Sequence, residues 1–498
     1  MTQTQAEFAT GFSHYIDGDW REPESDETID VVNPATEEVI ARVPKATPAE
    51  AERAIEAARR AFDEGPWPRM PGKERARILR GFADALWKRR DEFVDTVVGQ
   101  GGCTVTQART LQAYFPIQMM YRYAELAERN PVEHVVTSGG PFRGNNPGVG
   151  TNMVVREPAG VVSAITPFNY PFFLNIQKLG PAIAAGCTVV LKPTEYICLD
   201  AAEIARIIDE ETVIPPGVVN VLLGGCGDVG EVMCSHPMVD QVSFTGSTAT
   251  GRRIMAAGAP TIKRMTLELG GKSANVIFAD ADLDRALAGD CALVIRHCGQ
   301  GCGHLTRVLV EEPVYEEVVE RMVARAKTVV VGDPANERTE MGPLATAGQL
   351  ERVNGYISSG QEQGATLLFG GGRPSGLERG YYVEPTIFTN VRNEMKIAQE
   401  EIFGPVVTVQ KFQTEEEAVR IANDSIYGLN GSVWSGDLDR ALRVAGRIRT
   451  GMLMVNGPGA DDWETPFGGY KQSGVGREFG LWGYLEYTQL KTLRYNAY

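Results

Sequence analysis

The sequence predicts an α/β protein built from two wound domains and a small β element standing off them, and three observations carry the prediction. From residue 161 onward short apolar runs alternate with helical patterns, the arrangement of a parallel sheet whose crossovers are helices. A second series of the same kind begins after Glu268. Between the N-terminal helices and the first series, strand-like stretches at 134–137 and 152–155 flank a Gly-, Pro- and Asn-rich loop at 138–150, which reads as a hairpin. A chain of 498 residues exceeds one ordinary core, in keeping with more than one domain.

Taken in order, Thr47-Pro48-Ala49-Glu50 reads as a capping box with proline at the first helical position. Ala54, Ile55, Ala58, Ala61 and Phe62 supply the apolar stripe behind it. A second amphipathic helix runs through Ile78, Leu79, Phe82 and Leu86. The runs 161–166, 188–191, 218–223, 241–245 and 265–267 are expected strands of one sheet. Beyond Glu268 a strand at 275–278, a helix over 283–297 and further alternation to about 470 make the second domain. No repeat of solenoid period is visible.

Composition narrows the function classes. A net charge of -15 and a pI near 5.0 exclude a nucleic-acid partner, because a phosphate backbone is bound through clustered Lys and Arg. The eight cysteines show no repeating spacing, and the chain begins without a basic-then-apolar leader, so reduced thiols in the cytoplasm are expected. Residues 158–177 carry no Asp, Glu, Lys or Arg, yet Pro158, Pro167, Pro171, Asn169 and Asn175 would leave broken backbone and amides in lipid, so no membrane span is expected. His297, Cys298, Cys302 and His304 follow no usual ligand spacing, and no metal is expected.

The chemistry is concentrated in Leu267-Glu268-Leu269-Gly270-Gly271-Lys272 and Gly299-Gln300-Gly301-Cys302. A carboxylate and a thiol on glycine-rich turns supply a base and a nucleophile, the pair needed to form a thioester with a carbonyl substrate and to hydrolyse it. Two stretches compete for a phosphate. Gly225-Cys226-Gly227-Asp228-Val229-Gly230 is a literal GxGxxG, and Phe244-Thr245-Gly246-Ser247-Thr248 opens a helix at a strand end; on physics alone they are comparable. Glu195, after Lys192-Pro193-Thr194, would accept both ribose hydroxyls of an adenosine and repel a 2′-phosphate, or else is a surface carboxylate.

These residues, with Pro167-Phe168-Asn169-Tyr170-Pro171, Glu401-Ile402-Phe403-Gly404-Pro405-Val406 and Pro466-Phe467-Gly468-Gly469-Tyr470-Lys471, resemble the aldehyde dehydrogenase superfamily over nearly the whole chain. The resemblance implies a Rossmann-type NAD-binding domain (1–132 and 158–268), an α/β catalytic domain (269–470), and a small β bridging element (133–157 and 471–498) through which subunits form a homodimer or homotetramer. It places Cys302 as nucleophile, Glu268 as general base for the deacylating water, Asn169 with the Cys302 N–H as oxyanion donor, and Lys178 in a proton relay with Glu268. It assigns NAD contacts to Thr166, Lys192, Glu195, Gly246, Ser247, Gly270, Glu401 and Phe403, and puts the pyrophosphate at the Gly246-Ser247 helix rather than at the GxGxxG.

The chain departs from the family pattern in three places. His304 stands where a small residue is usual, Gly301 and Gly303 flank the nucleophile where bulkier groups are common, and Phe168 replaces a tryptophan. His304 either packs under the loop or approaches the thiol. By position Tyr170, Leu174, Gln177, Gly301, Gly303, Asp461 and Phe467 line the aldehyde tunnel. Little bulk beside Cys302 and aromatic walls imply a medium-to-large uncharged aldehyde, and Asp461 with Asp462, if turned inward, would repel an anionic one. Two alternatives stand beside this reading: an acylating relative that uses coenzyme A, which has no need of Glu268, and a non-catalytic structural or binding protein on the same fold.

Overall fold

The computed structural model describes residues 11–129, 132–135, 149–225, 227–288, 292–457 and 463–497. An eight-stranded sheet runs in the order Gly474–Val475, Arg264–Glu268, Gln241–Thr245, Val161–Ile165, Thr188–Lys192, Val219–Val221, His14–Ile16, Asp19–Arg21. Its five central strands are parallel, and both margins are closed by antiparallel strands. The chain winds outward from Val161–Ile165 through two strands, then returns to lay Gln241–Thr245 on the other flank. That reversal opens a crevice between Val161–Ile165 and Gln241–Thr245 at their carboxyl ends, where open α/β sheets bind ligands. Register brings Thr166, Lys192, Gly246 and Glu268 to that edge, since Ile165 pairs with Lys192 on one side and with Phe244 on the other, and Thr245 pairs with Glu268.

The helix Pro171–Ala185 has every residue buried. Its first half belongs to the uncharged stretch, and no helix among the described residues is long and apolar enough to cross a membrane. The expected capping box is present: the Glu50 N–H donates to the Thr47 hydroxyl at 3.2 Å and the Thr47 N–H to Glu50 Oε2 at 2.8 Å, starting the helix Pro48–Asp63.

A seven-stranded sheet follows, ordered Thr366–Phe369, Thr386–Thr389, Val406–Phe412, Arg307–Glu311, Ala274–Ile277, Gly431–Trp434, Met454–Val455, parallel except at its first strand. A three-stranded sheet joins Val132–Val135 and Val149–Pro158 to the C-terminal strand Thr488–Ala497. The segment 471–498 is thus divided, its Gly474–Val475 strand lying against Leu267 and Glu268 in the first sheet.

One expected element is different. Among the described residues of 283–297, in place of the expected helix there is one turn, Leu283–Ala286, and then a 3-10 turn, Arg296–Gly299, with His297 and Cys298 both left-handed at φ 46° and 50°. Ala292, Leu293, Val294 and Ile295 are all buried, which leaves no solvent face for an amphipathic helix. Gly299, at φ 73°, then runs so close to Gly404 that a Cβ would fall 2.2 Å from its carbonyl carbon.

Candidate active site

Glu268 ends its strand at the crevice, 2 % exposed, with neither carboxylate oxygen hydrogen-bonded. Gly468 lies against it: a Cβ there would stand 2.8 Å from Oε1. Burial, and next the charge of Glu478, push the carboxyl well above its ordinary range, while Lys178 and Arg477 oppose the rise. A proton-accepting group with a raised pKa in a dry cleft is the usual design of a general base.

The nucleophile loop is threaded against the turn that follows Glu268. A Cβ on Gly271 would lie 2.3 Å from the Cys302 carbonyl oxygen, so only glycine permits this approach. Asn169 Nδ2 donates to the Gln300 carbonyl at 2.9 Å, tying the loop after Val161–Ile165 to the residues before Cys302. One N–H of that amide remains, as a primary amide carries two. Cys302 is partly exposed, but its thiol is pushed well above its ordinary range by burial and then by the charges of Glu401, Glu268 and Glu478. The Cys302 loop is thus packed against the turn after Glu268 and tied to Asn169, and the Glu268 charge acts on the Cys302 thiol.

Behind Glu268 runs a buried polar chain. Lys178 Nζ donates to Glu478 Oε1 at 2.7 Å and to Ser243 Oγ at 3.2 Å, Gln177 Nε2 donates to Glu478 Oε2, and Ser243 Oγ meets Tyr487 OH at 2.9 Å. Lys178 and Glu478 are 0 % and 3 % exposed, so each charge depends on the other.

On the crevice side, Gly271 N–H donates to Glu401 Oε1 at 3.0 Å, and a Cβ on Gly270 would fall 2.3 Å from Glu401 Oε2. Burial pushes the Glu401 carboxyl up to about 7, opposed by the Gly271 N–H. Phe403, left-handed at φ 62°, places its ring edge-on to Phe168 at 5.7 Å. Ser247 caps the helix Thr248–Gly258, accepting from Thr250 N–H at 3.1 Å, and Thr166 Oγ1 donates to Asn175 Oδ1 at 2.6 Å. Lys192 Nζ donates to the Pro193 carbonyl at 3.3 Å, and Glu195 beyond it is half-buried. Of the competing GxGxxG, Gly225 is at positive φ and packs so closely on Ala46 that a Cβ would meet its carbonyl oxygen at 2.9 Å, whereas Gly227 and Gly230 have open space beside them.

The profile described as Aldehyde dehydrogenase family matches residues 20–493. The chain belongs to that family. It is 43% identical to a 3-succinoylsemialdehyde-pyridine dehydrogenase of Pseudomonas sp over 481 residues, covering 96% of this chain and 97% of the relative. It is 39% identical to the betaine aldehyde dehydrogenase of Bacillus subtilis, covering 97% of each, and 41% identical to the geranial dehydrogenase of Castellaniella defragrans, covering 94% and 95%. The solved betaine aldehyde dehydrogenase of Staphylococcus aureus in complex with NAD+ superposes with a TM-score of 0.93 at 37% identity, over 98% of this chain and 95% of that one. The Rossmann-type and α/β architecture expected of an aldehyde dehydrogenase is therefore the architecture present.

Within this aldehyde dehydrogenase, the expected tunnel residues fall into groups. Tyr170 begins an aromatic series: its ring lies 6.4 Å from Phe173, which lies 6.0 Å from Phe479, which lies 5.4 Å from Phe467. Leu174 is buried on the same helix, and Gln177 points instead to Glu478. A Cβ on Gly301 would strike His304 at 2.4 Å and come within 3.3 Å of the Tyr170 hydroxyl, so Gly301 makes room for the histidine. Gly303 accepts at its carbonyl from Asn430 Nδ2 at 2.9 Å. Asp461 and Asp462 lie outside the described residues, and among the described residues no cluster of His, Cys, Asp or Glu could hold a metal.

Glu478, Phe173, Phe479 and His297 were not among the residues expected at the site. Phe173 lies in the first turn of the helix Pro171–Ala185, whose N-cap is Tyr170, and an aromatic residue this close in sequence is a local signal. Glu478 reaches Lys178 across 300 residues, and nothing local announces it.

Proposed function

We propose that this aldehyde dehydrogenase oxidises an aldehyde to its carboxylic acid with NAD and water, through a thioester on Cys302. What supports the reading is that Glu268 and the loop bearing Asn169 lie at the crevice edge of the first sheet, with the Cys302 loop packed against Gly271 and tied to Asn169 through the Gln300 carbonyl. The residues present suit a dinucleotide: a helix N-terminus at Gly246-Ser247 for its phosphates, half-buried Glu195 for one ribose, and Glu401 held against a side-chain-free Gly270 for the other. Thr166, Lys192 and Phe403 complete that edge. Glu195 favours NAD over NADP.

The Cys302 thiol passes its proton to the Glu268 carboxylate as its sulfur adds to the aldehyde carbon, forming a C–S bond while the carbonyl π pair moves to oxygen; Glu268 gives that proton up before the later step. The second Asn169 N–H and the Cys302 backbone N–H receive that oxyanion; such a donor contributes about 3 kcal/mol to the transition state. NAD, when bound, takes the hydride whose departure leaves a thioester. Glu268 then removes a proton from water, the hydroxide oxygen attacks the thioester carbon, and the C–S bond breaks to release the acid. Lys178, with Glu478, holds the charge around Glu268 through this proton movement.

The substrate we propose is a medium-to-large aldehyde of uncharged body, accommodated by the Tyr170, Phe173, Phe479 and Phe467 rings and by the absence of a side chain at Gly303, the space beside Gly301 being taken by His304. Subunits pair through the three-stranded sheet, whose outer strand exposes Leu490 and Leu493, with Trp482 exposed on the helix that precedes it.

Product analysis tests the reaction. NADH and the free acid should form without coenzyme A, and Glu268→Gln should accumulate a Cys302 thioester visible by mass spectrometry. An absolute requirement for coenzyme A, or no NADH from any aldehyde in a panel spanning charge, length and aromaticity, overturns the reading.

A further inference from the structure

His297 lies on the nucleophile loop, and the reaction above does not use it. It is 2 % exposed, and neither ring nitrogen has a hydrogen-bond partner. Buried polar side chains are paired in native proteins, and an imidazole has one donor and one acceptor to satisfy. The residue is fixed in place by other means: its backbone is left-handed, its N–H donates to Gln107 Oε1 at 3.2 Å, and its ring packs 5.4 Å from the Tyr170 ring. Tyr170 is the first member of the aromatic series that walls the tunnel, and its hydroxyl lies over Gly301, next to Cys302. His297 therefore stands where the aromatic wall meets the nucleophile loop.

The state of the ring is set as well. Burial, and then the neighbouring His304, push His297 down to about 3, which favours the neutral ring. A neutral imidazole does not attract an anion or repel a cation; it exchanges one directional hydrogen bond with an uncharged polar group. The flat ring faces beside it favour a flat substrate.

Resting on the aldehyde-oxidising reading, we propose that His297 is a specificity-determining residue that hydrogen-bonds an uncharged polar group, a ring nitrogen or a hydroxyl, carried on the ring of an aromatic aldehyde. The substrate class is thereby narrowed from aldehydes of apolar body to aromatic aldehydes with one such group. A site built around a hydrogen bond discriminates against the analogue lacking it, because the buried partner is then left unpaired.

The test compares kcat/KM for benzaldehyde, 3-hydroxybenzaldehyde and pyridine-3-carbaldehyde in the wild type, His297→Phe and His297→Asn. Dividing each variant's ratio to benzaldehyde into the wild-type ratio cancels the intrinsic electrophilicity of the aldehydes. At least one substituted aldehyde should lose about tenfold of its advantage in His297→Phe, the worth of one neutral hydrogen bond. His297→Asn, which tolerates the left-handed backbone and keeps an amide, should recover part of that loss and gives the comparison if the phenylalanine variant does not fold. Ratios unchanged in the folded variants overturn the proposal while leaving the aldehyde dehydrogenase reading intact. Absence of NADH from all three aldehydes and from aliphatic ones in the wild type strikes the underlying reading instead.

Discussion

Exchanging Glu478 for glutamine should move the acidic limb of the pH profile to lower pH, and exchanging Lys178 for methionine should move it up. In its proposed role Glu268 must be ionised to take a proton from water, so kcat is expected to rise with pH through its pKa. Burial is the largest cause of its elevation and Glu478 the next, with Lys178 acting in the opposite sense. Removing the Glu478 charge withdraws a like charge and leaves Lys178 closer to uncompensated, and both changes favour the carboxylate. A neighbouring charge in such a setting shifts a pKa by about 1 to 3, so a downward move of at least about one pH unit is expected, equal to about 1.4 kcal/mol in the ionisation of Glu268. Lys178→Met removes an opposite charge and leaves Glu478 beside Glu268, which reverses the sign. Each single substitution breaks a buried ion pair at a cost of about 3 to 5 kcal/mol, so thermal melts must first establish a temperature at which both variants are folded. The assay is steady-state NADH production across pH 5 to 9 (about the range in which a raised carboxyl titrates). Limbs that stay in place, or that move together in one direction, refute the electrostatic account of Glu268.

Other perturbations read other parts of the molecule. Cys302→Ala should abolish NADH production and leave NAD binding, as followed by fluorescence titration. Because burial and three carboxylates raise the Cys302 thiol, alkylation of the cofactor-free enzyme by iodoacetamide should be slow near neutrality and accelerate as pH rises, with mass spectrometry locating the adduct. Gly270→Ala would put a methyl group 2.3 Å from Glu401 Oε2, and displacing that carboxylate should raise the KM for NAD about tenfold or more while the melting temperature changes little. Glu50 is held down at about 2: burial raises its carboxyl, but the His14 ring and the backbone N–H groups of Glu24 and Thr47 more than offset this. A depressed carboxyl stabilises above its unfolded value and loses that contribution as pH falls from about 4.5 to about 2, so Glu50→Gln should flatten acid unfolding in that window, and Thr47→Ala should cost about 1 kcal/mol in a urea melt at neutral pH.

What could be read from the sequence was local. Thr47 and Glu50 satisfy each other across three residues, and the strands at 161, 188, 241 and 274 lie within a residue or two of their expected positions because alternation of apolar runs and helices leaves few other windings. The run 292–295 misled for the same reason. Its apolar residues suit a buried helix as well as a buried irregular segment, and only the approach of Gly299 to Gly404, more than a hundred residues on, decides between them. The N-terminal strands His14–Ile16 and Asp19–Arg21 are not legible in the sequence, since three residues carry no period and the strand that ties His14–Ile16 to the sheet, Val219–Val221, is two hundred positions away. The family resemblance named the groups at the site, but not the environment that sets their protonation. That environment is built from burial and from the charges of Glu478 and Arg477, each brought in by tertiary packing.

The protonation pattern itself imposes an order on the chemistry. Glu268 and Cys302 are both pushed toward their neutral, protonated forms by the same burial, and the charge of Glu268 raises the thiol further. Two anions in one dry volume are therefore disfavoured, and a thiolate is most accessible when its proton passes to a carboxylate already there, because that exchange leaves the charge of the cavity unchanged. The exchange also bears on the later step. In the proposed reaction a Glu268 that has accepted one proton must lose it before it can take another from water, and the charges of Lys178 and Glu478, which are paired with each other and joined to Ser243, act on it. It follows that breaking this chain should slow deacylation more than acylation. Pre-steady-state mixing of the Lys178→Met enzyme with NAD and aldehyde should show a burst of NADH followed by a slower steady rate, and a uniform slowing of both phases would place the chain's role before the thioester rather than after it.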